Sequence, residues 1–161
     1  MPRLLPLALL LALGGCSALS PWSSTTKLDL TLAGDQRLNP DLNGRPSPVV
    51  LRLLELKHPA AFENADFFTL YQRAKESLQP DLVTAEELEL RPGETRTLKL
   101  SVQPGSRYLG VLAAYRDLPE SSWRLVVPLQ DQQHNRIELD LDARGIHPRV
   151  AVDAKHIKDE D

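Results

Sequence analysis

Side chains that usually support catalysis or metal binding are sparse in this chain. None of the four histidines (His58, His134, His147 and His156) lies three to five residues from another, the spacing of typical zinc-ligand pairs. The sequence also lacks the phosphate-binding, zinc-protease and serine-hydrolase motifs. We therefore expect no enzyme, no cofactor and no metal site.

One segment partly resembles a calcium-binding loop. Residues 39–44 place oxygen-bearing side chains at alternate positions, Asn39, Asp41 and Asn43, before Gly44. Such a loop needs an acidic ligand eleven residues after its first, and that position is Val50. The segment is therefore interpreted as a turn, in which Asn and Gly supply backbone freedom.

Cys16 is the only cysteine, which excludes an intramolecular disulfide. Arg3 precedes an apolar run at residues 4–13. As a helix this run would be about 15 Å long, against a bilayer core of about 30 Å, so it fits a secretory signal better than a membrane span. The sequence Leu13-Gly14-Gly15-Cys16 then resembles the bacterial lipobox.

That resemblance implies cleavage before Cys16 and acylation of its thiol, with several acyl chains giving firm membrane anchorage. Ser17, in place of an aspartate, implies the periplasmic leaflet of the outer membrane. Residues 1–15 would be the signal peptide and residues 16–26 a lipidated tether. The alternative is a plain secretory signal with a coincidental cysteine.

Length and charge fit a single small domain. The chain has 161 residues and a net charge of −3, whereas a general nucleic-acid binder normally carries a basic patch. We assign residues 27–152 to the folded domain and the charged residues 153–161 to a disordered tail.

Short alternating segments predict an all-β fold. Leu28, Leu30 and Leu32 alternate with polar residues, and residues 49–56 are apolar enough for a strand covered on both faces. Residues 64–78 follow as a helix, with Asn64 as its N-cap and an apolar face that packs on the sheets. Further strands are predicted near 87–90, 95–102, 107–116, 123–129, 136–141 and 149–152. Seven to eight strands with one helical insertion after the second indicate a β-sandwich.

Six short segments follow the lipobox, at residues 38–41, 44–53, 65–71, 88–93, 110–117 and 123–124. In this order they resemble the outer-membrane lipoprotein of type VI secretion systems, the TssJ family. The resemblance implies a transthyretin-like β-sandwich. It also implies binding to the periplasmic C-terminal region of a TssM-like inner-membrane protein, so that the secretion machine is held to the outer membrane. We expect neither a nucleic acid nor a small-molecule substrate.

In that family the loop joining the first two strands contributes to the contact with TssM. The equivalent loop here is residues 35–48, with five candidate partner-binding residues: Arg37, Asn39, Asp41, Asn43 and Arg45. The alternative is that Asn39, Pro40, Gly44 and Pro46 only shape the turn.

A second function remains open from the sequence. An outer-membrane lipoprotein could instead bind a ligand or act as a pilot protein for another envelope apparatus. A periplasmic hydrolase is a third hypothesis, but the sequence contains no recognisable arrangement of nucleophile and base.

Overall fold

The computed structural model describes residues 25–149. The proposed signal peptide, Cys16, nearly all of the tether and the charged tail lie outside these residues. The elements in chain order are β1 (Lys27–Gly34), β2 (Val49–Leu56), α1 (Ala60–Asn64), α2 (Phe67–Ser77), β3 (Leu82–Leu90), β4 (Thr95–Ser101), β5 (Tyr108–Ala113), β6 (Arg124–Pro128), β7 (His134–Leu141) and β8 (Ile146–Pro148).

The eight strands form two four-stranded sheets, in the orders β4-β1-β7-β8 and β3-β2-β5-β6. All neighbouring strands are antiparallel except β1 and β7, which run parallel. The predicted β-sandwich with a helical insertion after the second strand is confirmed, and residues 25–149 contain eight strands.

Alternating leucines of β1 place the core between the two sheets. Leu28, Leu30 and Leu32 are buried and meet Leu51 and Val111 of the second sheet in one apolar cluster. Full burial of each such side chain contributes about 1.5–3 kcal/mol. The period-two pattern of the sequence therefore becomes the inner face of a sheet.

The helices cover the outer face of the second sheet. Phe62 of α1 and Leu70 of α2 are fully buried against Leu54, Leu56 and Leu112. This explains why β2 is apolar on both faces, since residues 49, 51 and 53 face the other sheet while residues 54 and 56 face the helices.

The predicted helix start at Asn64 is wrong. Asn64 ends the short helix α1, and Asp66 caps α2 instead. The Asp66 carboxylate accepts hydrogen bonds from the Thr69 backbone N–H at 3.0 Å and the Thr69 hydroxyl at 2.6 Å. Asp66 has the extended backbone that an N-cap requires, so the helical conformation is interrupted here and two separate helices form.

Two strand predictions also need correction. β3 begins at Leu82 rather than near residue 87, and the last strand is Ile146–Pro148 rather than 149–152. Arg149 follows that strand, and residues 150–152 lie outside the described part. Thr26, which we assigned to the tether, is buried and donates from its hydroxyl to Asp131 at 3.0 Å, so the fold includes it.

The sandwich has two distinct ends. At the N-terminal pole, β1 begins at Lys27 opposite Ser101 and His134. At the distal pole, β1 ends at Gly34, and there lie the β1–β2 loop (residues 35–48), the β5–β6 loop (residues 114–123) and the β7–β8 turn (residues 142–145). Eight residues of strand separate the poles by about 25 Å. No helix within residues 25–149 is long and apolar enough to cross a membrane.

Candidate functional site

The β1–β2 loop is attached to the sandwich at its base. The Asp35 backbone N–H donates to the Leu141 carbonyl at 2.8 Å, and the Ser47 N–H donates to the Leu38 carbonyl at 3.0 Å. Leu38 is fully buried in the core between the sheets. The loop is therefore irregular in path but held in position by core packing and backbone pairing.

Asn39 links the loop to the other structures of the distal pole. Its side-chain N–H donates to the Pro48 carbonyl at 2.8 Å, and its side-chain oxygen accepts from the Arg116 backbone N–H at 2.8 Å. Asn39 is only 3% exposed and has a φ of +46°, a conformation that asparagine tolerates better than most residues. Of the five candidate residues, Asn39 therefore shapes the loop and is too buried to contact a partner.

Asp41 closes the tip of the loop into a compact turn. One carboxylate oxygen accepts from the backbone N–H groups of Asn43 at 2.8 Å and Arg45 at 2.9 Å, and the other accepts from the Arg45 guanidinium at 2.7 Å. The Arg45 backbone N–H and then its side chain hold the pKa of Asp41 below its usual value. Gly44 completes the turn with a φ of +75°.

This geometry also bears on the calcium interpretation. Both oxygens of Asp41 are used by N–H groups of the same turn, and Val50 lies in β2. In residues 25–149, no group of three or more His, Cys, Asp or Glu side chains is placed to hold a metal ion.

The exposed side chains of the loop include Arg37, Leu42, Asn43 and Arg45. The side chain of Arg37 is 84% exposed, with its Nε 3.5 Å from Asp35, and that of Arg45 is 76% exposed. Leu42 is fully exposed at the tip, and within residues 25–149 Phe68 is the only other large apolar side chain that is mostly exposed. Sequence reasoning missed Leu42, although a leucine between Asp41 and Asn43 in a polar turn was the available signal.

Beside the loop lies an open groove of about 770 Å³. One wall is the loop itself, and the other walls are the β5–β6 loop and the β7–β8 turn. The turn is shaped by Asp142, which accepts from the backbone N–H groups of Arg144 at 2.7 Å and Gly145 at 3.1 Å. Three separate connections thus converge into one surface at the distal pole.

The three described histidines form surface pairs with aspartates rather than a shared site. His58 lies 2.9 Å from Asp81, and His134, at the start of β7, lies 2.9 Å from Asp29. His147 lies 3.4 Å from Asp142. These pairs are on different elements, and each is a local surface contact.

Comparison with family models decides the identity of the chain. Residues 26–144 match the model described as type VI secretion lipoproteins, T6SS-SciN, which includes VasD, EvfM and TssJ. The chain belongs to the TssJ family of type VI secretion lipoproteins. This family is a structural component of the secretion system rather than an enzyme family.

Solved structures support the assignment of this TssJ-family chain. The T6SS lipoprotein TssJ1 from Pseudomonas aeruginosa is 38% identical, with a TM-score of 0.75 over 79% of this chain and 98% of that one. Serratia marcescens Lip, a membrane-bound component of the type VI secretion system, is 27% identical, with a TM-score of 0.74 over 80% of this chain and 100% of that one. No curated protein matches.

A further match shares the fold of this TssJ-family chain. It is to a structure described as the T6SS protein TssM C-terminal domain (869–1107) from EAEC. The identity is 22% and the TM-score 0.63, over 76% of this chain and 99% of the matched chain.

Proposed function

We propose that this chain is the outer-membrane anchor of the type VI membrane complex, lipidated at Cys16 and bound to the periplasmic C-terminal region of TssM through its distal pole. The observation that carries the proposal is the position of the two ends. The chain enters the fold at the N-terminal pole, and the β1–β2 loop lies about 25 Å away at the other.

This arrangement suits a tether. Ten residues separate Cys16 from Lys27 and can reach at most about 35 Å when extended. A domain held to the outer membrane by this segment is attached at its N-terminal pole, which leaves the distal pole free to face the periplasm. The inner-membrane partner approaches from that side.

The construction of the loop also suits protein recognition. A loop already ordered by Asn39 and Asp41 loses little conformational entropy on binding. Arg37 and Arg45 project from it, and arginine is favoured at protein interfaces. Asn39 and Asp41 therefore support the loop, while Arg37, Asn43 and Arg45 contact the partner.

Charge reversal tests the proposal. The variant Arg37→Glu/Arg45→Glu should weaken binding to the TssM periplasmic region at least about tenfold, or about 1.4 kcal/mol. The single variant Arg37→Glu leaves the Asp41 turn intact and should also weaken binding. The control Arg73→Glu/Arg136→Glu makes the same charge change on α2 and β7. If the two double variants bind the TssM region with equal affinity, the interface does not include the loop.

A further inference from the structure

The groove of the distal pole contains charged side chains that form no ion pair within residues 25–149, although Arg116 lies near enough to Asp41 to help lower the pKa of that carboxyl. Arg116, Asp117, Glu120 and Arg144 line it and are exposed, and none forms an ion pair with another described residue. Most other arginines in this part of the chain bind a carboxylate or a backbone carbonyl. The groove therefore offers charged side chains of both signs that form no ion pair with another described residue.

Tyr115 provides a second and independent observation. It lines the same groove and is 5% exposed, yet its buried hydroxyl has no hydrogen-bond partner among the described residues. It is the one side-chain group of this kind in the described part of the chain. Burial, with the nearby Asp142 carboxylate, raises the pKa of Tyr115, so the hydroxyl keeps its proton and can donate it. A buried polar group without a partner is destabilising unless binding supplies one.

We propose that this groove binds an extended segment of the TssM periplasmic region. An apolar side chain of the segment packs on Leu42, and a backbone carbonyl accepts the Tyr115 hydroxyl hydrogen after a small opening of the groove. Charged side chains of the segment pair with Arg144 on one wall and with Asp117 on the other. This inference rests on the proposed function and extends the interface from one loop to three connections.

The chemistry of the groove favours a polypeptide as its occupant. A lipid headgroup or a nucleic acid would be attracted by a uniformly basic surface, whereas Asp117 and Glu120 repel a polyanion. The exposed Leu42 on the rim adds an apolar contact that a side chain of a polypeptide can cover. The groove is also continuous with the loop that is proposed to bind TssM.

The decisive experiment measures binding of the TssM periplasmic region to the full protein, purified in the form in which the cell processes it. Tyr115→Phe should weaken binding about tenfold. The melting temperature of the free protein should stay the same or rise, because the hydroxyl makes no hydrogen bond in the free state. The control Tyr108→Phe changes a half-buried tyrosine on β5, under the helices, and should leave binding unchanged.

Leu42 supplies a second variant that does not disturb the core. Leu42→Ser should weaken binding at least about fivefold. Phe68→Ser, which removes the other large exposed apolar side chain of the described residues, should have no effect.

The outcomes separate the two proposals. If the wild-type protein binds and the loop arginines matter, but Tyr115→Phe and Leu42→Ser bind normally, the groove inference is wrong and the proposed function stands. If the wild-type protein does not bind the TssM region, both are wrong.

Discussion

The variant Asn39→Ala tests how the distal loop is held. It removes the donor to Pro48 and the acceptor for the Arg116 N–H, both at 2.8 Å. Each hydrogen bond contributes about 1 kcal/mol. Alanine also tolerates the φ of +46° less well than asparagine, a penalty of about 1 kcal/mol. The expected loss of unfolding free energy is therefore about 3 kcal/mol, a large part of the 5–15 kcal/mol typical of a domain.

Urea unfolding followed by tryptophan fluorescence measures this loss, since Trp123 packs edge-on against Phe67 and reports on the fold. Asn39→Gly should recover about 1 kcal/mol by removing the backbone penalty. The control Asn43→Ala changes an exposed side chain of the same loop and should stay within about 0.5 kcal/mol of wild type. If Asn39→Ala is as stable as Asn43→Ala, the loop is not fixed by Asn39 and our argument for preorganisation fails.

Three further predictions concern the anchor, a turn and the effect of pH. Cys16→Ser should move the protein from the membrane to the soluble periplasmic fraction, and unchanged fractionation would refute lipid anchoring. Gly145→Ala should destabilise the domain by about 3 kcal/mol in the same urea assay. Gly145 has a φ of +144°, and a Cβ at this position would lie 2.5 Å from the backbone carbonyl oxygen of Ser122. Wild-type stability of this variant would show that the turn relaxes easily. Hydrogen bonds from Thr26 and then Arg107 lower the pKa of Asp131 in the folded state. Its contribution to stability is therefore present above the unfolded pKa of about 3.9 and is lost as pH falls through the folded value. The urea concentration at the unfolding midpoint should decrease when the pH is lowered below about 4. A midpoint that does not change with pH would contradict this.

The apolar pattern of the sequence made the central strands predictable. β2 was predicted with the bounds that the structure shows, because its apolar residues face the other sheet on one side and the helices on the other. β3 was too short in the prediction, since it is an edge strand whose first half mixes apolar with polar residues. The helix start was misplaced because Asn64 and Asp66 are both suitable caps, and the sequence did not show that a separate short helix precedes Asp66.

The site was predictable only in part. Sequence reasoning located the loop but could not assign Asn39, because its hydrogen-bond partner Arg116 is 77 residues away. The same limit applies to the groove, whose walls come from three separate connections. The unpaired hydroxyl of Tyr115 depends on packing, which has no local sequence signature.

Photo-crosslinking in cells tests most directly the claim that the distal pole holds TssM. A crosslinking residue replaces Asn43 at the loop tip in one strain and Gln133 at the N-terminal pole in another; both positions are exposed. We predict a TssM adduct from position 43 and none from position 133. An adduct from position 133 alone, or from neither position in a secreting strain, would contradict the account.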